Sequence, residues 1–460
     1  MQSLQPDNLR QALALAGTSP QSSLTDGVNR IRLDSVLAGS CLDDSAALAG
    51  RSVLVAAATQ FEAALTLLEL DGVARRLILM PPDVRPEHLA AIIRDSGADA
   101  IICSDAGNFS QSGVAHIQRC NMELRPRAGS RIVARPTEWL MLTSGTTGDP
   151  KIAIHTLKGL TGAIAPVTPG TVKPTWATFY DIRRYGGLQI FLRAMLSGGS
   201  LVLSQPDEAV ANHLARLAAE GVTHVSGTPT HWRRALMSAA SANFHPAYVR
   251  LSGEIADQAI LDALCLAFPE SSIGHAYAST EAGVGFDVND GREGFPASYL
   301  DQPRNGVEMR IVDGSLRIRS PRMASAYAGR PDLAMTDEEG FVDTGDMVEV
   351  RDGRCHFAGR RGGIINVGGL KVHPEEIETV INRHGAVRQS RVRPRKSPII
   401  GAIVVADVVL REVPQNIDEL KQDILALCRS NLPSHKSPAL LNIVPSIEMT
   451  AGGKVSRQHA

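Results

Sequence analysis

Residues 143–151 read TSGTTGDPK, in which Thr143, Ser144, Thr146 and Thr147 bring hydroxyls, Gly145 and Gly148 free the backbone, and Lys151 closes the run with a positive charge. Glycine lets the main chain approach a ligand at angles other residues avoid, and successive N–H groups and hydroxyls suit phosphate oxygens. The run reads as a polyphosphate cradle. It differs from the common nucleotide loop GxxxxGK[ST], because Pro150 separates the last glycine from Lys151 and Ile152 stands where that loop needs a magnesium-binding hydroxyl.

Four further pieces carry residues fit for the same kind of ligand: YASTE at 277–281, TGD at 344–346, the glycine-rich basic block running into KVHPEEIE at 359–378, and TAGGK at 450–454. An aromatic ring can stack on a base, a carboxylate can hold a hard cation or accept from paired hydroxyls, and a lysine or arginine can neutralise charge developing on phosphate. Taken singly, each has an ordinary alternative. Glu281 would be a solvated loop acid, Asp346 a turn cap, Arg360 a surface charge and Lys454 a solvated residue near a chain end.

The five pieces in this order resemble the adenylate-forming superfamily: acyl- and aryl-CoA synthetases, adenylation domains of peptide synthetases, and luciferases. The resemblance covers roughly residues 50–457 and is strongest to a stand-alone acyl- or aryl-CoA ligase. It implies activation of a carboxylic acid by ATP to an acyl-adenylate, release of pyrophosphate, and transfer of the acyl group to a thiol. By this resemblance Thr143, Ser144, Gly145, Thr146, Thr147, Gly148 and Lys151 hold the β- and γ-phosphates of ATP. Tyr277 would stack on adenine, with Gly253, Glu254 and Ala276 beside the nucleotide. Thr280 would meet the α-phosphate and Glu281 would hold Mg2+. Asp346 would accept the ribose hydroxyls, Arg360 would reach ribose and phosphate from the hinge side, and Lys454 would bridge the acyl carboxylate and the α-phosphate. Gly368, Gly369 and Lys371 would meet the pantetheine of CoA after a small domain swings.

Three positions depart from the family pattern. Ala278 replaces a usual glycine, His275 falls where a side-chain amide commonly meets the adenine edge, and Gly362 takes the place of an aspartate or lysine pivot. Glycine at a pivot makes rotation permissive at an entropic cost.

Such residues need a scaffold. From Ser52 onward SVLVAAA predicts a buried strand, FEAALTLLEL a helix, RLILM a strand, PEHLAAIIRDSG a helix opened by Pro86, and ADAIICSD a strand. That alternation means βαβ units and a parallel sheet. The cradle follows WLMLT, as a strand-to-loop junction should, and a second α/β unit runs from SGGSLVLS to SSIGHAY. Residues 307–349 break into short runs separated by glycine and acidic turns, a small β-rich segment, while residues 1 to about 50 are weakly patterned, with LRQALALA a short helix and no visible chemistry. The basic glycine-rich stretch around 361–363 marks a boundary. The expected fold is α/β: a large N-terminal ATP- and acyl-binding domain over 1–361 with the β-rich segment, and a small mobile C-terminal α/β lid over 362–460.

With 460 residues the chain can bury several cores, and a formal charge of -1 gives no global field for nucleic acid or an anionic membrane. Six scattered cysteines without CxxC or clustered histidines argue against zinc and a disulfide framework. The N-terminus lacks a signal pattern and no run reaches the ~18 apolar residues of a membrane span, so the expected place is the cytosol.

For the acid, the resemblance points to the stretch FYDIRRYGGL at 179–188, with Tyr180, Arg183, Arg184, Tyr185 and Gly186, and to Gly283 after Glu281. Adjacent Arg183 and Arg184 suggest an acid with a second anionic group. Only VSRQHA follows Lys454, so the expected acceptor is free CoA, with a separate carrier protein as the alternative. A nucleotide-binding regulator without catalysis is the reading from another class. The expected assembly is a monomer or homodimer.

Overall fold

The runs SVLVA, RLIL and AIIC have no polar face, so they suit strands covered on both sides. In the computed structural model they form β1 (Ser52–Ala56), β2 (Arg76–Leu79) and β3 (Ala100–Cys103), parallel neighbours in a seven-stranded sheet. The structure describes residues 6–126, 136–143, 149–165, 171–367, 370–397, 401–412, 414–450 and 453–456. Beside β2 runs β4 (Glu138–Leu142) in parallel, and β5 (Ile152–Thr156) returns antiparallel to it. Thr143 N–H donates to the Lys151 carbonyl at 2.9 Å, so the cradle residues are the link of this hairpin.

A second sheet holds β6 (Thr175–Thr178), β7 (His224–Gly227), β8 (Tyr248–Ser252) and β9 (Ser272–Ser279) as parallel neighbours in that order. β10 (Gly283–Val288) turns back antiparallel on the outer edge of β9. Helix α1 (Gln60–Leu70) is buried along its whole length, and α2 (Tyr185–Ser197) shares one apolar core with it and with inward residues of both sheets, including Val53, Leu77, Trp176 and Leu201. The helices are therefore the filling between two sheets, which explains why FEAALTLLEL shows so little polar face.

The β-rich segment is antiparallel and includes the hairpin β11 (Val342–Arg351) and β12 (Arg354–Arg360). Its two-residue turn, Asp352 at φ 49° and Gly353 at φ 73°, is the Asp-Gly chemistry that tight hairpins favour. Further along, Val348 pairs with Phe357 but Met347 pairs with Gly359, so Ala358 is a bulge. That one extra residue places Asp346 opposite Arg360, where an unbroken ladder would place it opposite Gly359.

Beyond the short turn Arg361–Gly363, residues from Ile365 to Leu441 bury a core of their own between α4 (Pro374–Asn382), α5 (Ile417–Asn431) and a sheet of β13 (Val387–Ser397), β14 (Gly401–Leu410) and β15 (Leu440–Ile443). β13 was not expected as a strand, because its run VRQSRVRPRKS is charged and holds Pro394. It pairs with β14, and both Arg391 and Arg393 close on Asp407 of that strand.

Residues 6–50 hold more regular structure than their pattern suggests. Helix Leu9–Ala16 seats the buried Arg10 against Glu69, and strand Ser23–Thr25 extends the second sheet beside Ser200–Val202. The cysteines are free thiols, and among the described residues no helix is long and apolar enough to cross a membrane.

Candidate active site

Parallel strands bring their carboxyl ends to one edge of a sheet, and residues just beyond those ends converge there. Tyr180 follows β6, Thr228 follows β7, Gly253 and Glu254 follow β8, and Thr280 and Glu281 follow β9, so four neighbouring strands deliver them to one rim.

The β11–β12 hairpin meets this rim at Tyr277, whose phenol donates to Asp346 Oδ2 at 2.5 Å. Arg360 Nε donates to Asp346 Oδ1 at 2.8 Å. Each carboxylate oxygen keeps a second lone pair, so a pair of ligand hydroxyls can still be accepted. Burial, with the Asp346 charge behind it, pushes the Tyr277 phenol well up and keeps it a donor. The Tyr277 ring lies near-parallel to Phe286 and Phe357, with centroids at 5.6 and 5.4 Å, an aromatic layer beside the carboxylate. Ala276 is buried in the strand below, and His275 hydrogen-bonds the Arg292 carbonyl at 3.0 Å, its pKa lowered by desolvation.

A second group forms around Tyr327, which no sequence argument singled out. The Lys151 amine stands 5.3 Å from the centre of its ring, and its hydroxyl donates to Glu281 Oε1 at 3.4 Å. The cation at the end of the cradle and the carboxylate after β9 are thus joined through one phenol. The Thr280 carbonyl is pinned by His155 Nε2 at 2.8 Å. Burial lowers the His155 pKa to about 4, and its Nδ1 has no partner among the described residues, so protonation there would bury an unpaired N–H.

Lys454 lies beside the first group. A Cβ added to Gly253 would stand 3.5 Å from Lys454 Cε and 3.9 Å from the Tyr180 hydroxyl, which itself donates to the Ser252 carbonyl at 2.7 Å. Desolvation on its protein side lowers the Lys454 pKa, Arg360 and Arg184 add to this, and Glu254 and Asp346 oppose it. The residue is nevertheless exposed. Burial works against the Arg360 charge, yet Asp346 and, further down, Glu281 hold its pKa up. Lys454, Arg360, Asp346 and Glu281 therefore share one electrostatic neighbourhood, although they come from four separate stretches of chain.

The two arginines expected on the acyl side are already engaged within the protein. Arg183 is 1% exposed; Nη2 and Nε hold Asp181 at 2.5 and 2.8 Å, and Nη1 donates to the Ala57 carbonyl at 2.6 Å. Arg184 is paired with Asp83. An arginine whose donors are satisfied inside the protein is a framework residue, not a free anion receptor. Tyr185 is buried, with its ring 5.6 Å from that of His155, and begins α2. Gly186 faces the Tyr180 ring, and Gly283 is required by packing, since a Cβ there would stand 2.4 Å from the Arg322 carbonyl oxygen.

Arg193, on the same helix as Tyr185 and Gly186, differs from Arg183 and Arg184. Half-buried Arg193, two turns into α2, leaves Nε and Nη2 without partners among the described residues. Burial and the nearby Arg250 charge lower its pKa to about 10, and Asp287 is the carboxylate that Arg250 and Arg193 share. Nothing in the run FLRAML distinguishes it from an ordinary helix-surface arginine. Ser144, Gly145, Thr146, Thr147, Gly148, Gly368 and Gly369 lie outside the described residues, and Lys371 is exposed on the short strand Leu370–Val372.

Comparison with known proteins matches residues 49–327 to a family model described as AMP-binding enzyme, and residues 376–454 to one described as AMP-binding enzyme C-terminal domain. The chain is 26% identical over 420 residues to 2-succinylbenzoate–CoA ligase of Salmonella typhimurium, a match covering 89% of this chain and 86% of that one. Among solved structures, a benzoate CoA ligase from Burkholderia xenovorans aligns with a TM-score of 0.80 at 18% identity, over 97% of this chain and 98% of that one. An o-succinylbenzoate CoA synthetase from Bacillus subtilis, solved with its acyl-adenylate intermediate, aligns with a TM-score of 0.74 at 18% identity, over 98% and 97% of the two chains. At that identity the likeness to solved structures is one of fold.

Proposed function

The chain belongs to the AMP-binding enzyme family, and on that premise we propose that it activates a carboxylic acid with ATP and passes the acyl group from the adenylate to the thiol of CoA. In the first step a carboxylate oxygen attacks the α-phosphorus of ATP, the bond to the β-phosphate breaks, and pyrophosphate leaves with the electron pair. In the second, the thiol attacks the acyl carbon, gives up its proton, and AMP departs. The observation that carries this reading is the gathering of Lys454, Arg360 and Asp346 around one cleft at the ends of four parallel strands.

An anion attacking a polyanion needs positive charge where the new bond forms, supplied without reorganisation at the moment of reaction. Lys454 meets that need between the acid and the α-phosphate, and Arg360 from the hairpin side. Asp346, already oriented by Tyr277 and Arg360, receives the ribose hydroxyls. Lys151 neutralises the outer phosphates. The Glu281 carboxylate, oriented by Tyr327, is the kind of hard oxygen that magnesium takes beside phosphate ligands and water. Bound there, magnesium would supply charge neutralisation on the leaving pyrophosphate.

The relatives named above act on aryl acids, and an aryl acid is the substrate class we assign to this chain. If the acid carries a second anionic group, the guanidinium able to receive it is Arg193, whose free donors lie on the helix that opens with Tyr185 and Gly186. A panel of benzoate, p-hydroxybenzoate, anthranilate and 2-succinylbenzoate, read by pyrophosphate release and then by thioester formation, tests both steps. Release with at least one acid, followed by a CoA thioester, supports the reading. An adenylate that waits for a phosphopantetheinylated carrier protein instead of CoA would redirect the second step.

A further inference from the structure

We propose that Thr228 and Glu254 are positioning residues that clasp the main chain on either side of Lys454 and so set the orientation in which the acid is adenylated. The inference rests on the reading above and concerns groups outside the reacting atoms. Thr228 is fully buried at the start of helix α3 (Pro229–Leu236), and its Oγ1 donates to the Gly453 carbonyl at 2.8 Å. The direction of that bond is fixed by its surroundings. Thr228 N–H already donates to His231 Nδ1 at 3.1 Å, and Oγ1 accepts from His231 N–H at 3.1 Å, which leaves the hydroxyl proton for Gly453.

Glu254 works from the other side. Its Oε2 accepts from Thr230 N–H at 3.0 Å, one of the free donors in the first turn of α3, and its Oε1 accepts from Val455 N–H at 3.0 Å. One carboxylate thus ties the positive end of a helix to the residue after Lys454, while Thr228 ties the residue before it. Gly453 makes the approach possible. Its φ is +73°, and a Cβ there would stand 2.0 Å from His231 Cε1, so no other residue fits between the tail and the imidazole. The tail keeps its own turn, with Thr450 N–H bonded to the Lys454 carbonyl at 2.7 Å and Gly453 N–H to the Thr450 carbonyl at 2.9 Å. A preformed turn is therefore held at residues 453 and 455, and Lys454 between them projects over Gly253 and the Tyr180 hydroxyl.

The Thr228–Gly453 and Glu254–Val455 bonds join the C-terminal unit to the large one, so any rotation of the small unit breaks both together. Weakening the clasp lowers the population of this orientation and leaves a differently oriented thiol step untouched. Glu254→Gln keeps size but sets an N–H2 donor against one of the two backbone donors. Thr228→Val keeps shape and removes the bond to Gly453, Thr228→Ser restores it, and Gly453→Ala sets a methyl group against the His231 imidazole and forces the tail away from it.

The test separates two half-reactions, using the panel acid that supports the fastest exchange. Acid-dependent exchange of pyrophosphate into ATP reports adenylation, and CoA thioester formation from that acid's chemically prepared adenylate reports transfer. Expected are a 10–100-fold loss of exchange in Glu254→Gln, Thr228→Val and Gly453→Ala, transfer within twofold of wild type in Thr228→Val and Gly453→Ala, and exchange restored in Thr228→Ser. Equal loss in both half-reactions, or exchange unchanged in Glu254→Gln and Gly453→Ala, overturns the clasp while the proposed function stands. A wild-type protein with no acid-dependent exchange overturns the proposed function and the clasp with it.

Discussion

The phenol of Tyr277 donates a 2.5 Å hydrogen bond to the Asp346 carboxylate, joining the end of β9 to the β11–β12 hairpin. Two segments almost seventy residues apart thereby present an aromatic ring and an acid as one surface. Asp346→Ala removes the acceptor shared by Tyr277 and Arg360 and proposed to receive the ribose, and is expected to raise the KM for ATP by about 10–100-fold, at roughly 1.5–3 kcal/mol for a charged hydrogen-bond acceptor. Tyr277→Phe keeps the ring and loses one bond, so its KM should rise by less than about tenfold. Steady-state kinetics in ATP with the acid saturating checks both.

Arg183 and Arg184 are adjacent in sequence but opposite in consequence. Removing the buried guanidinium in Arg183→Leu leaves Asp181 and the Ala57 carbonyl without their donor, and a broken buried pair costs about 3–5 kcal/mol. Arg184→Leu breaks a solvent-exposed pair with Asp83, a change worth less than about 1 kcal/mol. Denaturant melts of the two variants should therefore separate clearly.

His155 makes stability pH-dependent with a fixed sign. Its folded pKa of about 4 lies below the ordinary 6.5, so between those values the unfolded chain holds a proton that the folded chain does not. Stability from this group is complete above pH 6.5 and is lost as pH falls toward about 4, by up to about 1.4 kcal/mol per unit. Replacing the ring in His155→Gln should flatten the stability curve in that window by about one proton, read as the difference between the two proteins' denaturant midpoints from pH 7 to 4.5.

Arg193 offers unpartnered donors on α2, so Arg193→Met should discriminate between acids. The kcat/KM for 2-succinylbenzoate, which carries a second carboxylate, should fall by about 10–100-fold as a charge-assisted bond is lost, with benzoate changed by less than about threefold. Equal losses for both acids would assign Arg193 to the framework around Asp287.

Sequence reading went furthest where local chemistry is decisive. The parallel strands from Ser52, helix α1, the β-rich segment and the separate C-terminal unit follow from apolar runs and turn residues, and the family models cover 49–327 and 376–454. Asp346, Arg360, Tyr277 and Lys454 were selected by motif and lie in one neighbourhood. What sequence could not supply was tertiary. The bulge at Ala358 decides that Asp346 faces Arg360, and no composition announces it. Arg183 looked available because nothing in DIRRYGG reveals that Asp181 folds back onto it. Thr228 caps the helix that opens with Pro229, but its hold on Gly453, 225 residues away, depends on the packing of two units and leaves no local signal. Strand β13 was hidden by its charges, which are neutralised across the ladder by Asp407.

Exchange of labelled pyrophosphate into ATP, run with wild type and Lys454→Gln over the aryl-acid panel, tests the central claim most directly. The wild-type protein is expected to exchange only when an acid is present, and Lys454→Gln to lose about 100–1,000-fold of that rate while keeping its melting temperature, because the residue is exposed and the role proposed for it is to neutralise developing charge. Exchange of equal rate in the two proteins, or cleavage of ATP to ADP and phosphate in place of AMP and pyrophosphate, would contradict it.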